Sequence, residues 1–143
     1  MSTPITVQYK INAPANTVWK ALTDKNDMKS WYFDIEDFKP EVGNVFNFYE
    51  PGSARKYHHQ CEILDILPEH KLVYSWSYPD FSPLKTTVTW ELFPEGEQTL
   101  VRLTHEGIEN FKDLGEGFSR ESFTEGWNVI IGQSLRGHLE HNI

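Results

Sequence analysis

Residues 122–138 read SFTEGWNVIIGQSLRGH, and this stretch decides how the rest of the chain can fold. At about 100° per residue, a helix would carry its large apolar side chains on one broad stripe. The stripe comprises Phe123, Trp127, Ile130, Ile131, Ser134, Leu135 and His138. Ser122 and Glu125 have the spacing of a capping box, and Ser119 is an alternative start. A helix with so wide an apolar stripe must bury it against a large partner.

That partner is predicted to be a sheet, because the hydrophobic period becomes two upstream of the helix. Strands are predicted at residues 5–11, 45–49, 56–67, 71–78, 84–93 and 98–105. The connections between the later strands are short and rich in turn residues, as at Pro51-Gly52 and Pro94-Glu95-Gly96. Short connections between successive strands favour an antiparallel meander.

Two short helices are predicted after the first strand. Pro14 suits the first position of a helix, in which Val18, Trp19 and Leu22 would share one face. Asp24 with Asp27 can begin a second helix that runs to Trp31. The order of strand, helices, strands and final helix is typical of the α+β class. We predict one domain over residues 1–143.

Composition excludes several classes of protein. The net charge of −8, without a stripe of Lys and Arg, argues against nucleic acid as a partner. No apolar run approaches the roughly 18 residues of a membrane span. The N-terminal MSTPITVQYK lacks the pattern of a signal peptide, and Cys61 is the only cysteine, so no internal disulfide can form. These features predict a cytoplasmic protein.

Strand alternation also predicts a binding site, because every second residue of each strand would face the helix. These inward sets are mostly apolar and contain a few polar members, which is typical of a small-molecule pocket and equally of a core with satisfied polar groups. We interpret the mixture as a site for a small hydrophobic or aromatic ligand, with Tyr57, His59 and His105 orienting it. The predicted site residues are Trp31, Phe46, Phe48, Tyr57, His59, Trp76, Tyr78, Trp90, His105, Phe123, Trp127 and Ile131.

Catalytic and metal motifs are sparse in this sequence. His58 and His59 would point to opposite faces of a strand, so they cannot chelate one ion, and no metal or other cofactor is predicted. There is no GxSxG motif, phosphate loop or dinucleotide fingerprint. His105 is the best candidate for acid–base chemistry, because imidazole changes charge near neutral pH. The alternative is a buried histidine held by a hydrogen bond.

A series of short motifs along nearly the whole chain resembles START-like, or SRPBCC, proteins. The motifs are INAP at 11–14, VWKALTD at 18–24, Trp31, FNF at 46–48, CEILDILP at 61–68, KLVYSW at 71–76, LTHEG at 103–107 and EGW at 125–127. Within that superfamily the chain is most similar to the C-terminal domain of activators of the heat-shock chaperone ATPase. The resemblance implies a helix-grip fold, in which a curved sheet of about seven strands grips the C-terminal helix over a cavity.

The resemblance leaves the function open, because the superfamily includes lipid carriers, hormone receptors, polyketide cyclases and bacterial stress proteins. We favour a non-catalytic binder of a small apolar molecule. The alternatives are an aromatase/cyclase-like enzyme, in which His105 or a tyrosine moves a proton, and a chaperone co-factor that contacts its partner through an apolar surface. Trp31 lies where the family has a lid over the cavity, and it would serve either as that lid or as a plug in the core.

Overall fold

Strands and short helices precede one long C-terminal helix in a computed structural model that describes residues 4–32, 35, 37–49, 58–111, 114 and 118–140. The first elements are β1 (Ile5–Ile11), α1 (Ala15–Thr23), α2 (Lys25–Trp31), β2 (Val45–Tyr49), β3 (His58–Leu67), β4 (Lys71–Ser77), β5 (Lys85–Glu95) and β6 (Gln98–Glu106). After a 3-10 turn at Ile108–Phe111, the C-terminal helix consists of α3 (Arg120–Val129), a π-helical segment (Ile130–Leu135) and α4 (Arg136–Glu140).

The strands form one antiparallel sheet in the order β1-β6-β5-β4-β3-β2. The consecutive pairing of β2 to β6 confirms the predicted meander. Tight turns between neighbouring strands favour this pairing. Glu95 pairs with Gln98, and Gly96 between them has a φ of 70°, a value that favours glycine. The α+β class and the helix-grip arrangement are confirmed. The described residues contain six strands, one fewer than the resemblance implies.

The C-terminal helix packs on the sheet through side chains four residues apart: Phe123, Trp127, Ile131 and Leu135 are buried. In a regular α-helix, side chains four residues apart are rotated by about 40° around the helix axis at each step, because one turn takes 3.6 residues. The π-helical segment has a wider turn, which keeps the later residues on the buried side. Neither this helix nor any other in the described part of the chain is long and apolar enough to cross a membrane.

The structure selects one of the two predicted starts of the C-terminal helix and shifts the predicted role of Pro14 by one position. Ser119, not Ser122, is the N-cap of α3, and its side chain accepts a hydrogen bond from the Ser122 backbone N–H at 3.1 Å. Ser122 already lies in the first turn, so it cannot cap the same helix. Asp24 caps α2 as predicted, accepting from the Asn26 N–H at 2.8 Å. Pro14 is the N-cap of α1, one position before the first helical residue.

Glycines of the C-terminal helix differ in their surroundings. A Cβ added at Gly132 would lie 2.7 Å from Cζ of Tyr9, whereas nothing lies within 4 Å of one at Gly126. Tyr9 is held in place, because its hydroxyl donates to Asn128 Oδ1 at 2.7 Å and the Arg136 guanidinium lies 5.2 Å from its ring centre. Tyr9 therefore leaves no room for a Cβ at position 132, which explains why glycine, otherwise unfavourable inside a helix, stands there.

Alanine substitutions at these two glycines should have opposite effects on stability. Gly126→Ala should raise the free energy of unfolding by about 0.5–1 kcal/mol, because alanine is the better helix former. Gly132→Ala should lower it by about 1–3 kcal/mol, because the new methyl group displaces Tyr9. Urea unfolding of both variants measures the difference. Equal stabilisation of the two would mean that Tyr9 moves aside without cost.

Candidate functional site

Every predicted site residue that the structure describes is buried between the sheet and the helices. Trp31 comes from α2, Tyr78 directly follows β4, the other sheet residues come from β2 to β6, and three residues come from the C-terminal helix. Tyr57 lies outside the described residues. The alternation of the strands therefore brings the predicted side chains together, and their role in binding a ligand stays a prediction.

Aromatic rings form a continuous network centred on Trp76. Its ring centre lies 5.3 Å from Trp127, 5.6 Å from Phe48 and 5.2 Å from His59, in edge-to-face arrangements. His59 in turn stacks on Phe48 at 4.6 Å. Edge-to-face and offset contacts are the arrangements that aromatic quadrupoles favour, so the network forms stiff walls around the interior.

The buried tryptophans have partners for their indole N–H groups. Trp76 donates to the Tyr78 hydroxyl, Trp90 to the Tyr74 hydroxyl, Trp127 to His105 Nδ1 and Trp31 to the Ala21 carbonyl, at 2.8–3.1 Å. Because a buried N–H without a partner is costly, these bonds fix the orientation of each ring. Tyr74 was not among the predicted site residues, although strand alternation places its side chain on the same inward face as that of Trp76.

His105 is fully buried, and both of its ring nitrogens are engaged. Nδ1 accepts from the Trp127 indole at 3.1 Å, so Nε2 carries the proton and donates to the Thr86 hydroxyl at 2.7 Å. The Thr86 hydroxyl donates onward to the Trp76 carbonyl. Burial lowers the pKa of His105 from 6.5 to about 4, so the ring is neutral at pH 7. This geometry is that of a structural histidine and gives no support to proton transfer.

The space left beside these rings is small near α2. A void of about 10 Å³ lies between α1, α2 and the sheet, and its walls include Trp31, Tyr32, Tyr74 and Trp90. Such a volume holds about one water molecule. A drug-sized ligand needs roughly 300–1,000 Å³, so this void is not the ligand-sized cavity that the resemblance implies.

A larger open groove lies on the outer side of Trp31, between α2 and the end of the C-terminal helix. Its volume is about 400 Å³, and Ser30, Trp31, Ser134, Gly137 and His138 line it. Ser134 and His138 were assigned to the buried stripe from the sequence, and the structure places them on this groove instead. Of residues 132–140 only Leu135 is buried.

Two tyrosines, Tyr32 and Tyr74, line the small void. The Tyr74 hydroxyl accepts from the Trp90 indole at 2.8 Å, and the Tyr32 hydroxyl is buried beside it. Burial raises the pKa of both tyrosines and of Cys61, so these groups are uncharged at pH 7. Across the described residues no group of three or more His, Cys, Asp or Glu side chains is placed to hold a metal ion.

The family model described as Activator of Hsp90 ATPase homolog 1-like protein matches residues 12–140. No protein with a curated description matches the chain.

Solved structures share the fold. A protein from Mesorhizobium loti is 25% identical, with a TM-score of 0.79 and 99% of both chains covered. DynU16, a protein of the dynemicin biosynthetic locus, is 21% identical with a TM-score of 0.79, over 98% of this chain and 48% of its own. The Aha1 dimer from Colwellia psychrerythraea is 19% identical with a TM-score of 0.71, over 97% of both chains.

Proposed function

Since the chain belongs to the family of Activator of Hsp90 ATPase homolog 1-like proteins, we propose that it binds a small hydrophobic or aromatic molecule next to its C-terminal helix. One observation carries the proposal: a groove of about 400 Å³ ends on Trp31, directly outside an interior walled by aromatic rings. Its volume falls in the range of small-molecule sites, and because the groove is open to solvent, a ligand bound there would stay partly exposed. The fold, shared with a protein of the dynemicin biosynthetic locus, is compatible with such a role.

Apolar burial suffices to hold a ligand of this kind. A two-ring molecule that buries about 250 Å² gains about 6 kcal/mol at 25 cal/mol per Å². That free energy corresponds to a dissociation constant between millimolar and micromolar before the entropic costs of association. No charged anchor is needed for an affinity in this range.

Filling the groove should weaken binding strongly. Ser134 lines the groove, so Ser134→Phe should weaken the binding of 2-naphthol, an uncharged two-ring probe, at least tenfold in isothermal titration calorimetry. Gln133→Phe adds the same ring at an exposed neighbouring position and should leave binding unchanged. Native mass spectrometry of the protein purified from its host should show a co-purifying small molecule. Equal affinities of the two variants would contradict the proposed location.

A second candidate function is that of a chaperone co-factor. Its support is an apolar surface at the β2 edge of the described sheet, where Val45, Tyr49 and Leu64 are 44%, 39% and 46% exposed. Exposed edge strands readily pair with other chains. If this function is correct, the protein should stimulate ATP hydrolysis by an Hsp90-type chaperone, and Val45→Glu should reduce the stimulation. An unchanged ATPase rate on addition of the parent protein would rule it out.

A further inference from the structure

We propose that the open groove takes a flat, uncharged ring system that carries a hydroxyl group, and that this group bonds to Ser134 while the ring lies over the backbone of Gly137. The inference rests on the proposed function and adds the chemical class of the ligand and two residues that determine specificity. It concerns only the solvent side of Trp31 and requires no movement of that side chain.

The hydroxyl of Ser134 differs from those of three other helical residues. Thr23, Ser30 and Thr124 each donate to the backbone carbonyl four residues earlier, at 2.8–3.3 Å. Such a bond back to the preceding turn is common for serine and threonine inside helices. None of the described residues forms a hydrogen bond with Ser134 Oγ, although the side chain is half-buried and lines the groove.

The π-helical segment gives a reason for this difference. Ser134 lies within the segment Ile130–Leu135, where the turn is wider than that of an α-helix. In the wider turn, the carbonyl of Ile130, four residues before Ser134, leaves the position that it would have in an α-helix. The hydroxyl of Ser134 therefore keeps both its proton and its lone pairs for a molecule in the groove. Single π-helical turns are frequent at functional sites for reasons of this kind.

Gly137 gives the groove a stretch of bare backbone. It lies in α4, its φ is not positive, and nothing lies within 4 Å of a Cβ added there. Neither backbone conformation nor close packing requires glycine at this position, where alanine would be the better helix former. Because Gly137 lines the groove, the missing side chain leaves room for a ring to lie directly on the helix backbone.

Trp31 supplies a rigid aromatic wall of the same groove. Its indole N–H donates to the Ala21 carbonyl at 2.8 Å, and its ring meets the edge of Trp90 at 6.4 Å. A fixed aromatic side chain attracts a second ring through offset or edge-to-face contacts. A flat ring therefore suits a groove that has an indole on one wall and bare backbone on another.

The charges near the groove favour an uncharged ligand. Four of the five described residues that line it have no ionisable side chain. The fifth, His138, has its Nε2 3.9 Å from Oδ1 of Asp27, and the same carboxylate pairs with Lys20 Nζ at 3.1 Å. A charged ligand would lose hydration while its possible counterions are already paired. A hydroxyl group needs no counterion and matches a serine, which both donates and accepts.

The hydroxyl contact is tested by titration calorimetry at pH 7. The parent should bind 2-naphthol about fivefold more tightly than naphthalene, because one hydrogen bond distinguishes the two. Ser134→Ala should reduce this preference to within about twofold and should keep the affinity for naphthalene, which a general disturbance of the fold would lower. Ser122→Ala, in the exposed first turn of α3, is the matched control and should keep the preference. A preference that survives in Ser134→Ala overturns the contact.

The charge of the ligand is tested with 2-naphthoate, which has the same ring system and a carboxylate. It should bind the parent at least about tenfold more weakly than 2-naphthol, because no free counterion compensates its lost hydration. Binding of 2-naphthoate as tight as that of 2-naphthol overturns the uncharged class.

The role of Gly137 is tested by two leucine substitutions. Nothing lies within 4 Å of a Cβ at Gly137 or at Gly126, and leucine is a better helix former than glycine, so both variants should melt no lower than the parent. Only Gly137 lines the groove. Gly137→Leu should therefore weaken the binding of 2-naphthol at least about tenfold, whereas Gly126→Leu should leave it unchanged. Equal affinities of the two variants overturn the role of Gly137.

The outcomes separate this inference from the proposed function. Binding of 2-naphthol to the parent, with the same affinity in Ser134→Ala and in Gly137→Leu, overturns the inference and leaves the binding of a small aromatic molecule standing. Absence of binding of 2-naphthol and of naphthalene to the parent overturns both.

Discussion

Trp127→Ala should lower the free energy of unfolding by about 3–5 kcal/mol, the range typical of truncating a buried tryptophan. Trp127 is 2% exposed at the centre of the helix–sheet contact, with edge-to-face neighbours Trp76 at 5.3 Å and Trp90 at 5.9 Å. The substitution removes these contacts and also takes the hydrogen-bond donor from the buried His105 Nδ1. Domains of this size have about 5–15 kcal/mol in total, so a marginal fold should remain.

The size of this effect is measured by urea unfolding and by the melting temperature, which should fall by roughly 10 °C. Trp127→Phe keeps a ring in the contact but removes the N–H donor, so it should cost about 1–3 kcal/mol. Trp19→Ala is the matched control, because Trp19 is only partly buried on α1. If the Trp127→Ala protein melted within a degree or two of the parent, the assigned packing of the C-terminal helix would be incorrect.

Acidification from pH 7 to pH 4 should remove roughly 3 kcal/mol of stability through His105 alone. Burial places the folded pKa at about 4, below the ordinary 6.5 of an unfolded chain. As the pH falls from 6.5 to 4, the unfolded chain binds a proton that the folded protein excludes, so the free energy of unfolding decreases. The contribution is fully present above pH 6.5 and is lost by about pH 4. The groups in contact with the ring, Thr86, Trp76, Phe123 and Trp127, carry no charge.

Urea unfolding at several pH values between 7 and 4 tests this expectation. The parent should lose up to about 1.4 kcal/mol per pH unit more than His105→Gln over this window. His70→Gln, which replaces an exposed histidine of the β3–β4 turn, should retain the slope of the parent. Identical pH profiles for the parent and His105→Gln would show that His105 does not carry the effect.

The order of the elements and the faces of the strands were predictable from the sequence. Alternation assigned Val88, Trp90 and Leu92 of β5 to the inner face, and all three are buried. The resemblance to the family, confirmed by the match over residues 12–140, came from motifs spread along the whole chain. Prediction was less accurate where the backbone departs from regularity. A register shift between Ile63 and Asp65 of β3 changes the faces of the residues that follow, and alternation alone does not reveal it.

Periodicity determined the architecture by itself, because a period of two or of 3.6 residues is a local property of the backbone and decides which side chains can be buried together. Tertiary packing decided the site. His105 is bonded to Thr86 and Trp127, which lie 19 and 22 residues away along the chain, and Trp31 meets Trp90 from a different element. Bonds and voids of this kind depend on how distant side chains fill a common volume to close-packed density. Only the folded structure therefore placed Trp31 between the open groove and the small void.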